Sequence, residues 1–269
     1  MCDKRFEGRV AIVTGGGSGM GFAVSKRLVK EGAKVYIFDF NEKAMYEKLA
    51  EIGEDESFGF KVDVSDEEQV KAAVAAVAEK EGKIDFSKVR SANLDEYKGL
   101  APNHEQSYRK FMQDNLFDHI SIKPENTIVP LGLAEDVDAM CAAYEEKIEE
   151  WGGVDLQLLG IGHDGHIGFN EPDDHFPAAT HEVKLTEMTI EANKRFFNSA
   201  DEVPRAAFTM GIGTIMAARK IVMVVTGKDK REILKKTFWG PVDPQVPASI
   251  LQFHPDVTLV CDEDAYPFN

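Results

Sequence analysis

The residues best suited to chemistry stand in one glycine-rich stretch, Gly160-Ile161-Gly162-His163-Asp164-Gly165-His166-Ile167-Gly168-Phe169-Asn170-Glu171-Pro172. Asp164, His166 and Glu171 put two carboxylates and an imidazole in one loop. Flanking carboxylates fix the imidazole tautomer and raise its basicity, which makes a group that can give and take protons. A further carboxylate, Asp95, ends a different predicted strand and can face the same crevice. His163 and His166 also have the spacing His-x-x-His. A structural or catalytic zinc needs three or four ligands, and no Cys/His partner set accompanies the pair, so no metal is expected. Cys2, Cys141 and Cys261 form no Cys-x-x-Cys pair, which suits free thiols in a reducing compartment.

A second constellation lies near the start. Thr14-Gly15-Gly16-Gly17-Ser18-Gly19-Met20-Gly21 follows an apolar run and opens a helical pattern. Glycine lets a backbone approach a pyrophosphate closely, and a helix N-terminus favours its charge. Asp39 ends the next strand, where an acid binds a ribose 2′-hydroxyl, and Asp63-Val64 would flank an adenine.

The elements that must position these residues alternate. Arg9–Val13 is a short β-branched run, Phe22–Lys30 has helical spacing closed by Gly32, Lys34–Phe38 is a second strand and Gly59–Val62 a third. Ser65-x-x-Glu68 has the form of a capping box opening the helix Gln69–Lys80. This β-α-β-α-β-α rhythm predicts a parallel sheet with right-handed crossovers. After Gly82 the character changes. Val89–Leu94 reads as a strand, Asp136–Trp151 as an amphipathic helix, Val154–Leu159 as a buried strand and Ile190–Phe197 as a helix. Ile221–Val225 and Val257–Val260 are further strands. The expected fold class is α/β, a three-layer αβα Rossmann-like fold with a mainly parallel sheet, whose carboxyl-end loops bind the ligand.

Composition narrows the partners. The 269 residues are 43% hydrophobic and 29% charged, as in globular chains. A formal net charge of −16 repels nucleic-acid phosphates and anionic lipid heads, so neither nucleic acid nor membrane is an expected partner. A small anionic substrate then needs a local Lys or Arg cluster. The N-terminus leads into a five-residue apolar strand rather than a signal-peptide core, and no apolar run reaches about 18 residues. A cytoplasmic location is expected. The sequence leaves a homo-oligomer open.

Two resemblances follow from these motifs. Residues 8–83 resemble the N-terminal half of the short-chain dehydrogenase/reductase family, which implies NAD at Gly15, Gly19, Gly21, Asp39, Asp63 and Val64. That family works through Tyr-x-x-x-Lys. Four residues beyond Tyr36, Tyr46, Tyr97, Tyr108 and Tyr144 stand Phe40, Ala50, Ala101, Met112 and Ile148, and Tyr266 runs off the chain. The pair is absent, as is the Asn-Asn-Ala-Gly segment, replaced by Ser91-Ala92-Asn93-Leu94.

From Gly82 onward the chain is similar to the glucosamine-6-phosphate deaminase family. The similarity rests on Asn93-Leu94-Asp95-Glu96-Tyr97-Lys98-Gly99-Leu100, on the Gly160–Pro172 stretch, and on Asn193-Lys194-Arg195-Phe196-Phe197, Met210-Gly211-Ile212-Gly213-Thr214 and Pro247-Ala248-Ser249-Ile250-Leu251-Gln252. It implies conversion of glucosamine 6-phosphate to fructose 6-phosphate and ammonia without a cofactor. His166 would open the ring, assisted by Asp164 and Glu171. Asp95 would move the proton from C2 to C1, and Arg195 and Lys230 would hold the phosphate. The family's own first strand and Thr-Gly-Ser-Thr-Pro phosphate loop are missing. The chain therefore reads as a hybrid of segments 1–83 and 84–269, joined near Glu81-Gly82-Lys83-Ile84-Asp85 and sharing one sheet in which Val89–Leu94 pairs with Val10–Val13. In that arrangement Thr14 and Ser18 would replace the missing phosphate cradle.

Overall fold

The computed structural model describes residues 4–82, 85–197 and 199–268; Cys2 and Lys83-Ile84 of the expected join lie outside the described residues. The chain divides into two compact units, Met1–Ile84 and Asp85–Asn269.

The first unit holds β1 (Val10–Thr14), α1 (Gly19–Lys30), β2 (Lys34–Asp39), α2 (Glu42–Ile52), β3 (Gly59–Lys61) and α3 (Glu67–Glu81). Its sheet has the order β1-β2-β3, parallel throughout. β2 is central, so alternate side chains are buried on both sides. Val35 and Ile37 pack with Leu28 of α1 and Met45 and Leu49 of α2, whereas Tyr36 and Phe38 pack with Ala73 and Val77 of α3. This is helix, sheet, helix. The α3 cap falls one residue later than the capping box predicts: Asp66 accepts from the N–H groups of Glu68 and Gln69 at 3.0 and 3.1 Å, while the Ser65 hydroxyl donates to Asp63. An aspartate carboxylate at a helix N-terminus is favoured by both hydrogen bonds and dipole.

The second unit runs β4 (Ser91–Ala92), β5 (Asp95–Tyr97), α4 (Tyr108–Asn115), β6 (Thr127–Ile128), α5 (Val137–Glu150), β7 (Gln157–Leu159), β8 (His181–Lys184), α6 (Glu187–Asn193), β9 (Ala206–Thr209), α7 (Ile212–Met216), β10 (Ile221–Val225), α8 (Arg231–Trp239) and β11 (Val257–Cys261). β11-β10-β7 and β4-β6 are parallel, and β5-β9-β8 is antiparallel. The main core joins Tyr144 and Ile148 of α5, Leu159 of β7, Ile221, Met223 and Val225 of β10, Ile215 of α7 and Leu234 of α8. Each such side chain contributes roughly 1.5–3 kcal/mol on burial.

Two expectations need correction. The predicted strand Val89–Leu94 is reduced to Ser91–Ala92, and its ladder partner is Thr127–Ile128 rather than Val10–Val13. The residues after it, expected to end the strand, begin an antiparallel one: Asp95-Glu96-Tyr97 pairs with Thr209-Phe208-Ala207. The expected fold class holds, α/β with mainly parallel sheets; on β11-β10-β7, Leu158, Val224 and Val260 stay exposed at 62%, 43% and 49%. Parallel sheets ordinarily bury both faces. No described helix is long and apolar enough to cross a membrane.

Candidate active site

The strand β7 delivers the chain into the Gly160–Pro172 loop, and the loop folds back so that Gly162 N–H donates to the His166 carbonyl at 2.9 Å. The imidazole then lies directly over Gly162. A Cβ there would sit 2.3 Å from the ring Cε1 and 2.4 Å from Nδ1, so only glycine fits. His166 Nδ1 lies 2.8 Å from Asp164 Oδ1 and 3.5 Å from Glu171 Oε2. Asp164 Oδ1 also accepts the His166 backbone N–H at 3.1 Å. The imidazole contacts are close but lack hydrogen-bond alignment: Nδ1 and Glu171 Oε2 are both buried without an aligned partner. The other Glu171 oxygen accepts from Thr189 Oγ1 at 2.6 Å and from Thr186 N–H at 3.3 Å.

Electrostatics follow from this packing. Burial alone would lower the His166 pKa, but the close carboxylates of Asp164 and Glu171 outweigh it and raise it to about 9. Burial pushes the Asp164 carboxyl up, yet the His166 contacts pull harder and hold it well below the usual carboxylate range.

Asp95 arrives from the other side. It opens β5, where it pairs with Thr209 of β9. Thr209 is fully buried, and its Oγ1 accepts the Phe169 N–H of the histidine loop at 3.0 Å. One residue thus brackets both acid-bearing segments. Met210 N–H donates to Leu94 at 2.6 Å, and the Asn170 amide donates to Ile167 and Met210 at 2.8 and 2.9 Å. Sequence reasoning missed Thr209, whose only signal was its place before Met210-Gly211. Burial, reinforced by Glu96 and opposed by His166, raises the Asp95 pKa to about 7.

Asp95, Asp164 and His166 line one cavity of about 490 Å³ together with Tyr108, Arg195 and Lys230. All its lining residues belong to the second unit. Glu171 stands behind His166. Lys230 Nζ donates to the Ile161 carbonyl at 2.9 Å, and burial lowers its pKa. Arg195 stacks on Phe196 with its guanidinium 4.7 Å from the ring centroid. Arg195 and Lys230 give the cavity two cations, as an anionic substrate group requires.

His163 does not join His166. Its Nε2 meets Asp229 Oδ2 at 2.6 Å, both side chains being exposed. Asp164, His166 and Glu171 offer ligand atoms within 4.8 Å of one another, as do the exposed Asp173, Asp174 and His175. The first set is already engaged in the imidazole network, and the second is a solvated acidic turn.

The glycine loop of the first unit is explained by its own packing. Gly17 N–H donates to Asp39 Oδ2 at 2.8 Å, and Asn41 N–H donates to Asp39 Oδ1 at 2.8 Å. A Cβ on Gly17 would stand 2.8 Å from the same carboxylate. Asp39 thus holds the turn. Asp63 is likewise occupied, accepting from Ser65 N–H and Oγ at 2.9 and 2.6 Å, and Val64 is exposed. Thr14 and Ser18 are exposed, and Ser18 makes no side-chain cap at α1.

Residues 45–260 match the family described as glucosamine-6-phosphate isomerases/6-phosphogluconolactonase. The chain belongs to this isomerase/lactonase family. A glucosamine-6-phosphate deaminase from Thermoanaerobacter pseudethanolicus is 58% identical over 186 residues, 69% of this chain and 74% of that protein. One from Lachnoclostridium phytofermentans is 59% identical over 180 residues, 67% of this chain and 76% of that protein. A solved monomeric glucosamine-6-phosphate deaminase aligns with a TM-score of 0.68 and 41% identity, over 74% of this chain and 82% of that one. The match to the isomerase/lactonase family begins at residue 45, well ahead of the join expected near Glu81–Asp85.

Proposed function

We propose that the chain is a glucosamine-6-phosphate deaminase, an aldose–ketose isomerase that converts glucosamine 6-phosphate and water to fructose 6-phosphate and ammonia. The observation that carries this reading is that His166, flanked by Asp164 and Glu171, lines the same cavity as Asp95. The names of its relatives support the substrate. In the proposed sequence, the imidazolium of His166 protonates the ring oxygen, the C1–O5 bond breaks, and the resulting imidazole takes the anomeric hydroxyl proton, which gives the open aldehyde and restores the imidazolium. Asp164 and Glu171 hold the imidazole in its charged form. Asp95 takes the C2 proton as the His166 imidazolium protonates O1 to give the enolamine, and Asp95 then returns its proton at C1, which leaves an iminium at C2. Water adds there and ammonia departs. Each positioned proton-transfer group is worth roughly 10²–10⁴-fold. Arg195 and Lys230 bind the phosphate. None of these steps uses NAD or a metal ion.

We further propose a hybrid origin for residues 8–83, for which the parallel order β1-β2-β3 and the glycine turn after β1 speak. Anion binding by the exposed hydroxyls of Thr14 and Ser18 is a separate proposal for the first unit, carried by the glycine-loop motif alone. NAD at Gly15, Gly19, Gly21, Asp39, Asp63 and Val64 is a separate reading carried by the motif alone, and the internal use of Asp39 disfavours it. A cytoplasmic location rests on the free Cys141 and Cys261 and on the metabolic substrate. The experiment is ammonia release from glucosamine 6-phosphate by the full chain. Equal yields of ammonia and fructose 6-phosphate are expected, and turnover to neither product overturns the reading.

A further inference from the structure

Beside Asp95, on the opposite face of the same strand, lies a buried carboxylate with no part in the chemistry above. Neighbouring strand residues point to opposite faces, so Glu96 turns away from the cavity and toward the start of α4. It is 2% exposed. Its Oε1 accepts the N–H groups of Tyr97 and Tyr108 at 2.9 and 3.1 Å, and its Oε2 accepts Ser107 Oγ and the Arg109 N–H at 2.7 and 3.1 Å. Every one of these partners is a donor.

This network exceeds what a helix start requires. Ser107 already caps α4, accepting from Arg109 and Lys110 N–H at 3.1 and 3.4 Å, and a Ser cap is normally sufficient. Burying a carboxylate in addition costs free energy unless its hydrogen bonds and field are used. Two uses are visible. The bonds pin α4 to β5, and α4 carries Tyr108, which stacks on Tyr97 at 5.4 Å between centroids and lines the cavity. The charge sits directly behind Asp95, one residue away.

We propose that Glu96 is a positioning residue of the proton-transfer site, fixing Tyr108 and α4 against β5 and placing a carboxylate behind Asp95. The inference rests on the deaminase reading. The groups around Asp95 are Glu96 and Tyr97 on its own strand, Tyr108 from α4, Tyr144 from α5 and His166 from the histidine loop. Among them only Glu96 adds negative charge and only His166 opposes it. The Arg109 guanidinium, nearest to Glu96 on α4, is turned to Thr127 Oγ1 at 2.8 Å and stacks on Phe117. The like charge of Glu96 therefore favours the protonated form of Asp95.

The test is the pH profile of kcat/KM for ammonia release, with Glu96→Gln and Ser107→Ala compared to the parent. Removing the charge in Glu96→Gln lowers the acid limb by about half a unit to one unit. Ser107→Ala keeps the charge but removes its hydroxyl donor, so its acid limb moves upward by a few tenths of a unit. A purely structural cap would lower kcat in both variants with the limb unmoved, and that result overturns the proposal. If Glu96→Gln does not fold, the direction of the Ser107→Ala shift decides alone. A parent that releases no ammonia refutes the deaminase reading itself, whereas an active parent with unmoved limbs refutes only the role of Glu96.

Discussion

Two glycine-rich strand-end loops look alike as sequence, and they differ in what they leave unsatisfied. In the Gly160–Pro172 loop, His166 Nδ1 and Glu171 Oε2 are buried without an aligned partner, and the His166 and Asp95 pKa values move away from their ordinary range in opposite chemical senses. In the Thr14–Gly21 loop, Asp39 accepts from the Gly17 N–H, Gly16, Gly17 and Gly21 leave no room for a Cβ, and Gly15 and Gly19 take positive φ. A buried polar group left unpaired costs about 1–3 kcal/mol, so its persistence argues for a ligand or a reaction. A motif whose glycines and acid satisfy one another has no such debt to explain.

The largest effect that sharpens this contrast is at His166. Replacement by Gln removes the proton donor of ring opening and should lower kcat by roughly 10²–10⁴-fold in a steady-state ammonia assay; a loss under threefold would break the contrast. Next comes pH. Asp95 works deprotonated and its pKa is raised to about 7, so kcat/KM rises with pH through about 7. His166 works protonated and its pKa is raised to about 9, so the rate falls through about 9. A single-limbed profile without the alkaline fall would contradict the imidazolium. A smaller effect concerns Thr14→Val combined with Ser18→Ala. If those hydroxyls bind phosphate, KM for the sugar phosphate rises several-fold with kcat kept; an unchanged KM confines the site to the second unit. The smallest is NAD. Calorimetric titration should give no binding heat, and micromolar binding would show that the first loop is a site after all.

Much of this was legible because strong local signals agreed with the fold. β1, β2, β10 and β11 are β-branched runs ending at Gly or Asp, and α5 has its Asp136 cap and helical spacing. His166 and its acids were legible because they share one loop. The antiparallel β5-β9-β8 was not, since Asp95-Glu96-Tyr97 has no apolar alternation and becomes a strand only through pairing with Thr209-Phe208-Ala207. Thr209 and Glu96 were illegible for the same reason: their value lies in partners far along the chain, Phe169 for one and Ser107 to Arg109 for the other. The exposed Leu158, Val224 and Val260 read as a buried parallel sheet because composition cannot tell whether a layer is present to cover them.

The central claim is that Asp95 and the His166 group act on one amino sugar from two strands bracketed by Thr209. Ammonia release from glucosamine 6-phosphate by the parent and by Asp95→Asn, with both shown to be folded by matching thermal transitions, tests it most directly. The account predicts turnover in the parent and a loss of about 10²–10⁴-fold in the variant. Equal rates in the two proteins would contradict it.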